Sequence, residues 1–146
     1  MVTLKKGEFS KRPYLQSIIT ALTLLTCFAI PTLAASSSYS FKMDHRVVDG
    51  SKNKQFHTLS KGSVYINGNA YVYSTDGGAV GPYDVNYTLY RSAWGSDPSY
   101  GTVNGGINKS FSGAYNVDKN SNEYYLFIWK TNDDGQNIRG NGKISN

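Results

Sequence analysis

The chain holds two histidines, His45 and His57, and either could serve as a general base near neutral pH. Neither has a nucleophile assigned to it by pattern. There is no G-x-S-x-G segment, and the single cysteine, Cys27, stands inside an apolar run, so serine is abundant but no serine is marked as activated. Glycoside hydrolysis needs two carboxylates facing each other across a cleft. The acids here are mostly aspartates, and Asp49-Gly50, Asp76-Gly77 and Asp134-Gly135 are pairs of the kind that form turns. The two histidines with the neighbouring Asp44 are spaced more widely than zinc ligands. Residues 118–123 read D-K-N-S-N-E, which puts oxygens of Asp118, Asn120 and Asn122 at positions one, three and five of a calcium loop. The loop is incomplete: Glu123 stands where its glycine belongs and Trp129 where its closing acid belongs. The expectation is therefore no catalytic residue, no cofactor and no enzyme, with Asp118, Asn120 and Asn122 as an incomplete calcium candidate.

Aromatic side chains offer a different chemistry. Twelve tyrosines, six phenylalanines and two tryptophans stand among many Gly, Ser, Asn and Thr. In residues 63–75 one phase of a period-two pattern holds Val64, Ile66, Gly68, Ala70 and Val72. The other holds Tyr65, Asn67, Asn69, Tyr71 and Tyr73. A strand sends alternate side chains to opposite faces, so Tyr65, Tyr71 and Tyr73, with Asn67 and Asn69 between them, are expected on one face. Aromatic rings stack on sugar faces or protein surfaces while amides supply hydrogen bonds. Trp94 and Tyr100, in a glycine-rich stretch at 92–106, are a second candidate contact, since long loops are often functional.

Strands must position these groups. Tyr39, Phe41 and Met43 alternate with polar residues, and so do Val85, Tyr87 and Leu89, as well as Phe111, Gly113 and Tyr115. Residues 63–75 are expected to form one long strand, bulged at Gly68. Residues 124–131, Y-Y-L-F-I-W-K-T, are apolar on both phases and predict a central strand. A short strand is expected at 56–59 and a closing strand at 138–144, with 92–106 a long loop and 116–122 a polar connection. Turn signals recur at intervals near ten residues, which predicts an all-β fold: a single antiparallel β-sandwich, jelly-roll-like, of about eight strands.

The run F-S-G-A-Y-N-V at 111–117, followed by Y-Y-L-F-I to residue 128, resembles the closing strands of secreted bacterial accessory β-sandwiches of the pre-peptidase C-terminal type. That resemblance implies a sandwich that accompanies an enzyme and carries over no functional residue.

Residues 1–34 read as a removable signal peptide. Lys5, Lys6, Lys11 and Arg12 precede an apolar stretch at 18–30, and Thr32 and Ala34 mark a cut after Ala34. The apolar stretch is shorter than the ~18 residues of a membrane span, and Thr26 before Cys27 departs from a lipobox, so neither an anchor nor lipidation is expected. The lysine-rich leader points to a Gram-positive bacterium, where Asn86-Tyr87-Thr88 and Asn108-Lys109-Ser110 have no glycosylation meaning. Residues 35–146 then form one cysteine-free domain. The net charge of +5 is carried largely by the leader. The remaining bases are scattered, which excludes nucleic acid as the main partner, and no membrane contact is expected after cleavage. The expected role is a secreted, non-catalytic binding module for an extracellular polysaccharide, cell wall or protein. The alternatives are a bacteriocin-like or toxin-like effector and a matrix protein self-associating through strand edges.

Overall fold

In the computed structural model, residues 35–81 and 84–146 are described. The expected signal peptide and its helix, residues 1–34, lie outside them. Nine strands follow one another: β1 (Ser36–Met43), β2 (Val47–Asp49), β3 (Phe56–Leu59), β4 (Gly62–Thr75), β5 (Val85–Arg91), β6 (Ser99–Gly105), β7 (Lys109–Val117), β8 (Ser121–Trp129) and β9 (Gln136–Ser145). They form two packed antiparallel sheets. Sheet A has the order β1-β9-β4-β7; sheet B has the order β2-β8-β5-β6, with β3 also paired to β8. This is jelly-roll order, two interleaved Greek keys. The count is nine because the second strand of the roll is broken. Residues 50–55 leave the sheet in a tight turn closed by Gln55 N–H donating to the Gly50 carbonyl at 2.8 Å. Gly50 is needed there, since a Cβ would stand 2.7 Å from the Leu126 carbonyl oxygen.

The inward phases of both sheets form one core. Tyr39, Phe41 and Met43 of β1 and Val64, Ile66 and Ala70 of β4 meet Val85, Tyr87 and Leu89 of β5 and Tyr124, Leu126 and Ile128 of β8. Each fully buried large side chain contributes about 1.5–3 kcal/mol of transfer free energy. Sheet A is thinned by glycine where aromatics lie across it. A Cβ on Gly142 would stand 2.6 Å from the Tyr39 hydroxyl, and one on Gly140 would stand 2.5 Å from Phe41 Cζ. Tyr39 reaches over this gap and donates to the Asn67 carbonyl at 3.2 Å.

Three expectations need correction. The bulge of β4 lies between Val72 and Ser74 against β9, while Gly68 stays in register with both neighbours; Gly68 is there because Tyr39 occupies the space a side chain would take. The stretch 92–106 is only half loop, since β6 begins at Ser99. The polar connection at 116–122 is shorter than expected, because β7 runs to Val117 and β8 begins at Ser121. Strand β8 is central, as expected: Tyr124, Leu126 and Ile128 point inward, while on its outer face Tyr125 is buried and Phe127 and Trp129 are half-buried.

Candidate functional site: two sheet faces

The outer face of sheet B is aromatic. Register places Val47 of β2 beside Trp129 of β8 and Asn86 of β5; Asp49 beside Phe127 and Thr88; and Phe56 of β3 beside Tyr125 and Tyr90. The rings order one another. Tyr90 stacks on Tyr125 at 5.7 Å between centroids, and Phe127 and Phe56 meet the edges of that stack at 6.1 Å. Such pairs gain about 0.5–1.5 kcal/mol beyond burial. Polar groups fix the rest: Trp129 Nε1 donates to Thr88 Oγ1 at 3.0 Å, Thr88 is 2.8 Å from Thr102 Oγ1, and Asn104 donates to Asn86 at 3.2 Å.

One end of this face carries the loop at 92–98. Tyr125 donates its hydroxyl to Asp97 Oδ2 at 2.7 Å, and the Ala93 N–H donates to Asp97 Oδ1 at 2.9 Å. These bonds, the Tyr125 one first, hold the Asp97 carboxyl below the usual aspartate range. Ser92 N–H donates to the Glu123 carbonyl at 2.9 Å, and Arg91 N–H to that of Pro98 at 3.2 Å. Both stems are tied down, and Gly95 takes a left-handed φ of 95° at the tip. Trp94, beside it, is wholly exposed at 103 %.

Tyr100 does not accompany it. The pairing of β5 with β6 slips between Thr88 and Tyr90, and Gly101 takes a φ of 103°. A bulge of this kind re-aims a side chain, and Tyr100 turns inward, edge-on to Tyr124 at 5.4 Å. It accepts from Arg91 Nε at 3.1 Å and donates to Asp118 Oδ1 at 2.5 Å. That second bond is the main reason the Asp118 carboxyl is held low. Asn120 Oδ1 accepts from the Lys61 N–H at 2.7 Å, and Asn122 is exposed on β8. Two of the three calcium candidates are thus engaged by protein donors. Among the described residues no group of three His, Cys, Asp or Glu is placed to hold a metal ion.

The outer face of sheet A is polar. Three rows cross it: Ser36, Ser145, Tyr65 and Ala114; Ser38, Lys143, Asn67 and Ser112; Ser40, Asn141, Asn69 and Ser110. A fourth holds Lys42, Arg139 and Tyr71. Tyr65 and Tyr71 are 58 % and 45 % exposed, and between them lies a shallow depression of about 680 Å³ lined by Ser38, Ser40, Asn67, Asn69, Asn141 and Lys143. Tyr73 is half covered. Arg139 lies 4.5 Å and Lys42 5.0 Å from its ring centroid, and its hydroxyl donates to Asp44.

The candidate residues therefore divide between two faces. Tyr65, Asn67, Asn69, Tyr71 and Tyr73 belong to sheet A, and Trp94 to sheet B. Sequence reasoning missed Phe56, Tyr90, Phe127 and Trp129, although for Phe127 and Trp129 the outward phase of 124–131 was the available signal. It missed Lys143 and Asn141 because their partners lie far away along the chain. Of the histidines, His45 is exposed between β1 and β2, whereas His57 is buried on β3 with Nδ1 2.8 Å from Ser37 Oγ. Burial lowers its pKa to about 4.

No protein-family model matches the chain, and no curated protein matches it. Among solved structures it is similar to the crystal structure of Yersinia pseudotuberculosis-derived mitogen, at 12 % sequence identity and a TM-score of 0.39, over 75 % of this chain and 86 % of that one.

Proposed function

We propose that the protein is a secreted, non-catalytic binding module that holds a neutral extracellular glycan on the outer face of sheet B. The observation that carries this reading is Trp94, a wholly exposed indole on a loop tied at both stems and at its middle, beside a face of ordered aromatic rings. An exposed tryptophan on a rigid loop loses little conformational entropy on binding, and rigid aromatic anchors dominate binding energy. Stacking on sugar rings suits the exposed parts of Phe56, Phe127 and Trp129, while Ser99, Thr102 and Asn104 of β6 offer hydroxyls and an amide along the rim. The strands of this face place Asp49 and Glu123 on its outward phase and no lysine or arginine, which favours an uncharged ligand over an acidic one.

The test is depletion from solution by insoluble cellulose and chitin, comparing the wild type with Trp94→Ala and Phe127→Ala. We expect one polymer to remove the wild type, and each variant to bind it at least tenfold more weakly with its far-UV spectrum unchanged. A wild type left in solution by both polymers would overturn the reading. Growth inhibition by the same sample would replace it with an effector role.

A further inference from the structure

We infer that the outer face of sheet A is a second, independent binding site, and that it takes an acidic polysaccharide whose charges are carboxylates. The first ground is charge. Lys42, Arg139 and Lys143 all stand on the outward phases of β1 and β9, and among the described residues no carboxylate stands on the outward phase of β1, β4, β7 or β9. Asp44, Asp76 and Asp118 each directly follow a strand of this sheet, and each is engaged: Asp44 by Lys42 at 3.0 Å and by the Tyr73 hydroxyl, Asp76 by the Asn137 amide at 3.2 Å, and Asp118 by the Tyr100 hydroxyl. The face is positive, whereas that of sheet B is not.

The spacing of the cations selects the polymer. Arg139 and Lys143 are four residues apart on one strand, about 13 Å at the rise of a β-strand. Between and beside them stand Asn141, Asn69, Ser40, Asn67 and Ser38, all neutral donors and acceptors. A nucleic acid carries about one charge per 1.7 Å and would leave nearly all its phosphates unmatched here. A chain of hydroxyl-bearing rings with no more than one carboxylate to each ring spreads its charge more thinly and matches the sparse cations and the amide and hydroxyl lining together. Tyr65 and Tyr71, about 20 Å apart along β4, bracket the depression with exposed rings against which sugar faces can lie. The depression itself is open and shallow, as a polymer passing across the sheet requires.

The experiment is affinity electrophoresis of the purified protein through gels containing alginate, dextran or polyphosphate, at low and high salt. Lys143→Gln/Arg139→Gln, Tyr65→Ala/Tyr71→Ala and Trp94→Ala are run alongside. Alginate should retard the wild type at low salt. Retardation should weaken at least tenfold in the first two variants and in high salt, and persist in Trp94→Ala, while dextran retards none of them. No retardation by alginate, or equal retardation of Lys143→Gln/Arg139→Gln, would overturn the inference. So would retardation by polyphosphate as strong as that by alginate. Because Trp94→Ala leaves this face intact, failure here is separable from failure of the glycan site on sheet B.

Discussion

His57 illustrates how a residue with catalytic chemistry in sequence becomes a stability determinant in the fold. It is 1 % exposed, accepts from or donates to Ser37 Oγ through Nδ1, faces Tyr124 across the β3–β8 pairing, and has no protein partner for Nε2 among the described residues. Burial disfavours the imidazolium and lowers the pKa from 6.5 to about 4. As pH falls, the unfolded chain takes up this proton before the folded one. The contribution is complete above pH 6.5, is lost between 6.5 and 4, and loses nothing more below that window, a total of about 3 kcal/mol. Urea unfolding at pH 7 and pH 4.5 should therefore show a large drop for the wild type and a clearly smaller drop for His57→Gln. Equal drops would mean that other groups dominate acid sensitivity. Alternation along the chain says little about such burial. Lys130 and Asp134 are also fully buried, paired at 2.5 Å, with Lys130 donating to the Gln136 carbonyl at 2.7 Å, yet in sequence Lys130 is only a polar residue near the end of the run 124–131 and Asp134 half of an Asp-Gly turn. Their burial comes from the junction of β8 with β9 and from no local pattern.

Most strands could be read from the order of residue types, and the exceptions share a cause. β1 and β4 alternate cleanly because one face is core and the other polar. β6 was hidden because Gly101 and its bulge break the alternation within seven residues. The outer face of β8 could not be assigned because Tyr125, Phe127 and Trp129 have core composition, and periodicity alone does not separate a covered face from an aromatic surface. The glycines of β9 are equally opaque in sequence, where they resemble turn residues; in the sheet they make room for β1. This gives a direct test. Gly142→Ala would drive a methyl group against the Asn67 carbonyl and the Tyr39 ring, and overpacking of this kind costs about 1–3 kcal/mol. Gly77→Ala meets no atom within 4 Å and should change stability by less than about 0.5 kcal/mol. Thermal unfolding of the two variants beside the wild type measures the difference, and similar melting temperatures would show that β1 can yield.

At the scale of the molecule, the topology makes the two outer faces parts of one rigid body. β9 pairs with both β1 and β4, so the first and last strands of the described residues lie side by side in sheet A, and the common core fixes sheet A against sheet B about 10 Å away. The two faces point in opposite directions and share no residue, so filling one leaves the other open. If the sites on sheet A and sheet B act as proposed, the protein is a bridge between a neutral and an acidic polymer, and linkage through a rigid sandwich needs no change of shape. A fluorescent alginate should then sediment with whichever of cellulose or chitin depletes the wild type, but only when the protein is present. Trp94→Ala should lose the bridge by releasing the insoluble polymer, and Lys143→Gln/Arg139→Gln should lose it by releasing the alginate while the protein itself still sediments. Because each variant breaks a different half, the location of the protein after centrifugation reports which face has failed. Alginate that sediments equally with both variants would show that the two polymers do not occupy separate faces.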